Sequence, residues 1–225
     1  MEKRIYRFGL DENGADVTEG TAHDNFTLGG KGANLAEMAR IGLPVPPGFT
    51  ITCQTCMEYA NGGNTWPEGV LDGITAARED LERRCGKRLG DAKDPLLVSL
   101  RSGATFSMPG MMDTVLDLGL NDESVLGLAH QTNNDRFAWD SYRRFIQMFS
   151  NVVMGIDSDL FEHAISAARE AAGVTTDTEL SAENLRALAG EFKQIFAENV
   201  NLEEHPELAG EDGSAQFPQD PTIQL

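Results

Sequence analysis

Residues 28–42 read LGGKGANLAEMARIG, and this stretch decides how the first part of the chain folds. Three of its glycines, Gly29, Gly30 and Gly32, stand within four positions and allow the backbone to turn tightly. Apolar residues then recur at helical spacing, at Leu35, Met38 and Ala39. Gly42 ends this pattern, and the prolines that follow prevent the helix from continuing. The stretch predicts a glycine turn followed by a single helix that ends at Gly42.

Lys31 lies inside this glycine turn. A helix that starts just after the turn would direct its free N–H groups and the positive end of its dipole toward it, which favours an anion. The lysine adds a mobile positive charge that suits a phosphate oxygen. The turn is not a P-loop, because Gly32 and Ala33 follow the lysine where that motif needs Ser or Thr. Lys31 is therefore a candidate phosphate ligand, and a plain glycine turn with an exposed lysine is the alternative.

Arg101 is the second candidate, and it closes a short apolar run. Residues 96–101 read LLVSLR, which predicts a buried strand that breaks at Ser102 and Gly103. Ligand sites in α/β sheets gather at the carboxyl ends of strands, and the planar guanidinium of arginine suits phosphate. The alternative is a strand-end arginine paired with one of the many acids of the chain.

A methionine-rich loop follows, with the sequence SMPGMMDT at residues 107–114. Three methionines around a Pro-Gly turn suit a flap that closes over a ligand, and Gly110 would let backbone N–H groups reach phosphates. A loop tucked against the helical part of the chain is the alternative. Asp113 and Asp117 lie four residues apart, but two acids do not predict a metal site in so acidic a chain, and we predict no metal ligand.

From about residue 121 the sequence becomes helical. Three apolar stripes at helical spacing predict three helices with ordinary core faces, and their members are Ala138, Tyr142, Phe145, Ile146 and Phe149, then Leu160, Phe161, Ile165 and Ala168, then Leu185, Leu188, Phe192, Ile195 and Phe196. Asp157 or Ser158 is the expected cap of the second helix, and Ser181 of the third. Glycines and prolines among acids in residues 202–225 predict an irregular connection.

Composition limits the function. The formal net charge is −18, with 36 acids against 18 bases, so nucleic acid is not an expected partner. An ATP site in such a chain must concentrate its few bases locally and recruit a divalent cation. No apolar run approaches the roughly 20 residues that span a bilayer, and no signal peptide is recognisable. Three cysteines fit a reducing compartment, so we expect a cytoplasmic protein without membrane contact. The Cys53–Cys56 spacing leaves a thioredoxin-like site open, with two small residues in a helix-capping segment as the alternative.

The glycine turn with Lys31, the strand-end Arg101 and the methionine-rich loop, in this order, resemble the N-terminal, ATP-grasp-like region of the pyruvate, phosphate dikinase family. The resembling stretches are residues 29–38, 43–49, 101–104, 107–116, 136–137 and 140–148. The methionine loop is the specific part, because phosphoenolpyruvate synthases and rifampicin phosphotransferases carry an acidic Glu-Asp-Leu-Pro loop there. Phe106 departs from the pattern, where a small or basic residue is expected.

The resemblance implies an ATP-dependent phosphotransferase of transferase and kinase type. The family converts pyruvate, ATP and phosphate to phosphoenolpyruvate, AMP and pyrophosphate through a phosphohistidine. By resemblance, Lys31 and Arg101 are the catalytic residues and hold ATP phosphates, and Gly110 and Thr114 belong to the loop that closes over them. Mg²⁺ is the expected second cofactor, with its ligands, the phosphohistidine domain and the pyruvate-binding domain all beyond Leu225. A homodimer of the full-length enzyme is left open.

The expected organisation is α/β (α+β), the first part of an ATP-grasp-like domain with an inserted helical subdomain. We expect an α/β subdomain at 1–117, a helical subdomain at 118–200, and a return segment toward the first subdomain at 201–225. We also expect that the chain is truncated and that it is inactive alone. One alternative is a related phosphotransferase of the phosphoenolpyruvate synthase type. The other is a non-catalytic nucleotide-binding or interaction module.

Overall fold

The structure, a computed structural model, describes residues 3–103 and 114–225. These residues form a mixed α+β arrangement of helices and three small two-stranded sheets. They divide into two compact units, the first with residues 3–87, 102 and 103 and the second with residues 88–101 and 114–225. No helix within these ranges is long and apolar enough to cross a membrane.

The first unit combines one antiparallel strand pair with three helices. Its elements are β1 (Ile5–Phe8), α1 (Asn25–Arg40), β2 (Gly48–Ile51), α2 (Cys53–Asn61) and α3 (Val70–Cys85). Strands β1 and β2 pair from Ile5 opposite Ile51 to Phe8 opposite Gly48. The predicted end of the first helix at Gly42 is confirmed, since α1 ends at Arg40.

Arg84 of α3 fastens this helix to the strand pair. Its side chain is buried, and it donates hydrogen bonds to the carbonyl oxygens of Phe8 (3.0 Å) and Gly48 (3.2 Å). Its Nε lies 2.8 Å from a carboxylate oxygen of Asp80 one turn earlier in α3. Burying a guanidinium is costly unless its charge is paired and its donors form hydrogen bonds. Here two carbonyls accept hydrogen bonds from it, and the Asp80 carboxylate pairs with its charge. The arginine therefore connects the end of β1, the start of β2 and α3.

The second unit begins with two strand pairs. Strand β3 (Arg88–Leu89) runs parallel to β4 (Pro95–Leu96), and β5 (Val98–Arg101) pairs antiparallel with β6 (Thr114–Leu118). The prediction of one buried strand at 96–101 is wrong. The run is interrupted at Leu97 because its two halves pair with different strands, and the residues from Ser99 to Arg101 are exposed. Antiparallel pairing also means that Arg101 does not end a strand of a parallel sheet.

Helices make up the rest of the second unit: α4 (Ser124–Thr132), α5 (Asp135–Met148), α6 (Ser158–Ala172), α7 (Ala182–Asn199) and α8 (Pro221–Gln224). Helix α5 continues into a π-helical turn, Phe149–Val153. The three predicted stripes are confirmed, except that Leu160 is 38% exposed. The predicted caps are also confirmed, since the Asp157 side chain accepts from the Asp159 N–H and the Ser181 side chain from the Asn184 N–H.

Residues 201–225 contribute to the core of the second unit. Phe217 is 3% exposed and lies edge-on against the rings of four residues, Tyr142, Phe145, Phe149 and Phe196, with centroid distances of 5.3–6.4 Å. Along the described chain the first change of unit falls between residues 87 and 88, and residues 88–101 group with the helices through the pairing of β5 with β6. The subdomain boundary at 117 stays a prediction. The course of 201–225 toward the first subdomain stays a prediction.

Candidate phosphate-binding site

The glycine turn around Lys31 is part of a helix. Helix α1 begins at Asn25, because the N–H groups of Thr27 and Leu28 already bond to the Asp24 carbonyl. It consists of two helical runs that meet at Gly29, so the predicted helix after the turn is present, and the short run before it was not predicted. The turn survives as a break at Gly29, whose φ of 69° and ψ of 166° are not helical. That backbone geometry is accessible to glycine at little cost. Lys31 is thus the second residue of the helical run that resumes after the break.

Gly32, one residue further on, has a packing role. A Cβ at this position would lie 2.8 Å from Cγ2 and 3.1 Å from Oγ1 of Thr50 in β2, and 3.1 Å from Cβ of Leu28. Its missing side chain lets α1 approach the strand pair closely. At Gly32 the backbone of α1 therefore approaches the strand β2, which positions the helix that carries Lys31.

Arg101 and Thr114, two of the predicted site residues, are brought together by the structure. They face each other as a register pair of the β5–β6 ladder, next to the pair of Leu100 and Val115. Directly opposed residues of an antiparallel pair have Cβ atoms about 4.5–5.5 Å apart. A guanidinium and a hydroxyl can therefore serve the same ligand group. The predicted Gly110 lies outside the described residues.

The pairing of the basic side chains distinguishes Lys31 and Arg101 from the other bases. All 18 Lys and Arg residues of the chain lie in the described ranges. Most form ion pairs, hydrogen bonds or contacts with aromatic rings, and Arg40, Arg88 and Lys93 lie near an acid whose pKa they lower. With respect to residues 3–103 and 114–225, the side chains of Lys31 and Arg101 have no such partner. These are the two cations that sequence reasoning selected for phosphate.

Lys31 belongs to the first unit, and Arg101 and Thr114 belong to the second. Their convergence on one triphosphate stays a prediction. Arg101 is exposed and Lys31 is partly buried. A phosphate at either position would not need to displace a carboxylate of the described residues.

Asp117 is the notable acid of the same hairpin. It has a φ of 60°, which is unusual for a residue other than glycine, asparagine or aspartate. Partial burial raises the pKa of its carboxyl above the ordinary 3.8, although Arg144 nearby acts in the opposite direction. In the parts of the chain that the structure describes, no group of three or more His, Cys, Asp or Glu side chains could hold a metal ion.

Sequence reasoning missed a cavity of about 350 Å³ in the second unit. Its lining includes Trp139, Arg186 and Lys193, which come from α5 and α7. These residues do not belong to the apolar stripes, because they lie beside the core face of their helices. The available signal was Gly190, a glycine inside the regular apolar pattern of α7.

Comparison with known proteins gives consistent matches. Residues 26–65 match the family described as pyruvate phosphate dikinase, AMP/ATP-binding domain. The chain is 50% identical over 207 residues to a pyruvate, phosphate dikinase of Clostridium symbiosum, and the alignment covers 92% of this chain and 23% of that protein. It is 46% identical over 225 residues to the Rhizobium meliloti (strain 1021) enzyme, with 100% and 23% covered, and 51% identical over 193 residues to that of Giardia intestinalis, with 86% and 22% covered.

The chain therefore spans slightly less than a quarter of the length of these relatives. The matched family profile contains Lys31 and the α1–β2 region. Identity of 46% across all 225 residues extends the likeness through the β5–β6 hairpin and the helices. Over nearly its whole length the chain is therefore similar to the N-terminal portion of pyruvate, phosphate dikinases.

Proposed function

We propose that this chain forms part of the ATP site of a pyruvate, phosphate dikinase, with Lys31 and Arg101 binding ATP phosphates. The whole enzyme would convert pyruvate, ATP and phosphate to phosphoenolpyruvate, AMP and pyrophosphate through a phosphohistidine on another part of the protein. Thr114 would add a hydroxyl donor beside Arg101, and Gly110 would belong to the loop that closes over the phosphates.

The observation that carries this proposal is the absence of described partners for two cations in a chain with twice as many acids as bases. Transfer of a phosphoryl group depends mainly on positioning and on neutralising the charge of the phosphates. A cation already paired with a carboxylate would first have to leave it. Lys31 and Arg101 are free of that competition from the described residues, so their charge is available to an anion.

Thr114 extends the argument from charge to geometry. Its place opposite Arg101 in the β5–β6 ladder is fixed by backbone pairing. A guanidinium donates through a planar fork, and a hydroxyl donates one further hydrogen bond. Together they would fix the orientation of one phosphate group.

Three finer features belong to the same proposal. An ATP-grasp-like fold would place the nucleotide between this region and a later part of the enzyme. Mg²⁺ would reduce the repulsion between ATP and a chain of net charge −18, with its acidic ligands in that later part. A cytoplasmic location is supported by the three free cysteines, Cys53, Cys56 and Cys85.

The test is ATP binding measured by isothermal titration calorimetry on matched glutamine variants. Lys31→Gln and Arg101→Gln should each weaken ATP binding about 10- to 100-fold, since a hydrogen bond to a charged group contributes about 1.5–3 kcal/mol. Arg40→Gln and Arg88→Gln are the controls, one at the end of the same helix as Lys31 and one in β3 of the same unit as Arg101. Equal affinities in all four variants and the parent would show that neither cation contacts phosphate.

Activity separates this proposal from the alternatives. We expect the 225-residue chain alone to produce no phosphoenolpyruvate and no AMP. The full-length protein should consume ATP with pyruvate only when inorganic phosphate is present, since pyrophosphate is a product. Turnover without added phosphate would favour a phosphoenolpyruvate synthase-like enzyme instead. ATP binding by the full-length protein without turnover would favour a non-catalytic module.

A further inference from the structure

The cavity of about 350 Å³ in the second unit has the chemistry of an anion site. It shares no lining residue with the candidate phosphate site. Its size is at the lower end of the range for small-molecule sites, about 300–1,000 Å³. The lining comes from α7, α5, α4 and the segment before α4.

Positive charge exceeds negative charge around the cavity. Arg186 and Lys193 contribute two cations and Asp122 contributes one carboxylate. Lys193 is held by Asp122, with its Nζ at 2.7 and 2.9 Å from the two carboxylate oxygens. The same carboxylate also accepts a hydrogen bond from the Tyr142 hydroxyl at 3.0 Å. Asp122 is thus occupied, and a local excess of one positive charge remains in a chain of net charge −18.

Arg186 is the cation that an incoming anion would meet. Its guanidinium carbon lies 5.3 Å from the centre of the Trp139 ring, which fixes the side chain over the indole by a cation–π contact. It forms no ion pair and no side-chain hydrogen bond with the residues that the structure describes. No described residue therefore occupies its donors, while the tryptophan sets its position.

Gly190 keeps the cavity open. It lies inside α7, where glycine costs about 1 kcal/mol relative to alanine. Its φ is not in the left-handed region, and a Cβ built on it would meet no heavy atom within 4 Å. The glycines inside other helices, such as Gly32 and Gly127, are explained by close neighbours at 2.8 and 2.5 Å. Gly190 has neither reason, and it lines the cavity one turn from both Arg186 and Lys193.

The remaining walls are apolar. Leu126 of α4 is 55% exposed, and the Trp139 indole and Ala189 complete that side. Apolar walls beside an available guanidinium suit a ligand with both characters. We propose that this cavity binds a small organic anion, with an apolar body against Trp139 and Leu126 and a carboxylate or phosphate group at Arg186.

Tryptophan fluorescence tests this proposal directly. Trp139 and Trp66 are the two tryptophans of the chain, and Trp66 lies in the first unit against Tyr59 with ring centres 4.5 Å apart. The Trp66→Phe variant keeps a ring there and leaves Trp139 as the reporter. It should be titrated with phenyl phosphate, with benzoate and with phenol. A saturable response to either anion, at least tenfold tighter than to phenol, is the expected result, and the stronger anion identifies the preferred group. No saturable response to either anion, or equal binding of phenol, would overturn the proposal.

Three variants on this background locate the site. Gly190→Leu should abolish the response by filling the cavity, with the helical circular dichroism of the parent retained, because its side chain enters open space. Arg186→Gln should weaken anion binding at least tenfold. Arg169→Gln on α6 should leave it unchanged, since that arginine is paired with Asp177 away from the cavity. Parent-like binding by both Gly190→Leu and Arg186→Gln would place the ligand elsewhere and overturn the inference.

Discussion

Replacing Phe217 tests whether the C-terminal tail belongs to the core of the second unit. The side chain is 3% exposed, and its ring lies edge-on to four other rings at centroid distances of 5.3–6.4 Å. Replacing a buried phenylalanine with alanine lowers the free energy of unfolding by about 3–5 kcal/mol, because both the lost transfer free energy and the new cavity contribute. Ring pairs of about 0.5–1.5 kcal/mol each are contained in that range. We expect Phe217→Ala to fall in its upper half.

The assay is urea unfolding and thermal unfolding followed by helical circular dichroism. A loss of 3–5 kcal/mol corresponds to a fall in Tm of roughly 6–20 °C for a chain of this size. Phe217→Leu should lose roughly 1–2 kcal/mol, because it keeps much of the apolar area and gives up the edge-on ring contacts. Ile223→Ala is the matched control in the same tail, where the side chain is 41% exposed, and it should cost less than about 1 kcal/mol. If Phe217→Ala costs no more than Ile223→Ala, the tail does not belong to the core.

Four further substitutions test other parts of the fold. Asp117→Asn should stabilise the protein at neutral pH, because the raised pKa of Asp117 means that ionising the carboxyl is less favourable in the folded state than in the unfolded state. The gain should disappear below pH 3.8, where the carboxyl is protonated in both states. Unfolding midpoints measured at the two pH values test this. Ser181→Ala should cost about 1 kcal/mol in urea unfolding by removing the cap of α7. Gly32→Ala should destabilise, since its Cβ would press on Thr50, whereas Gly190→Ala should stabilise by up to about 1 kcal/mol, and thermal unfolding compares the two.

Each of these has a control and a contrary outcome. Ser166→Ala removes an exposed serine in the middle of α6 and should change the free energy of unfolding little. If Ser181→Ala changes it by no more than Ser166→Ala does, the cap contributes nothing. A pH-independent effect of Asp117→Asn would mean that the folded state does not penalise the carboxylate. The same sign for both glycine substitutions would contradict the close approach of α1 to Thr50.

The helices could be predicted from the sequence because their signals are local. The stripe through Tyr142, Phe145 and Ile146 repeats every three or four residues, and all three side chains are fully buried in the structure. Ser181 stands directly before its helix and caps it. Neither feature depends on a distant part of the chain, so the pattern alone was sufficient.

The strands and the pairing of charges depend on distant residues. Residues 96–101 look like one apolar strand, but β4 and β5 separate because each pairs with a different neighbour. Arg83 donates a hydrogen bond to the Glu12 carboxylate, 71 residues away in sequence, and Arg84 donates one to the Phe8 carbonyl, 76 residues away. Which cations lack partners could not be read from composition. The choice of Lys31 and Arg101 rested on motif and resemblance, and their lack of described partners is an independent observation from the structure.

The three-way attachment of Arg84 affects how amino-acid replacements should be judged in this chain. Lysine is often treated as an acceptable exchange for arginine, since both carry one positive charge. A single ammonium on a flexible stem cannot reproduce a planar fork that reaches the carbonyls of Phe8 and Gly48 and a carboxylate of Asp80 at once. A variant that looks harmless by residue class would therefore leave main-chain acceptors of both strands without their donor. Tolerance at this position is set by donor geometry more than by charge.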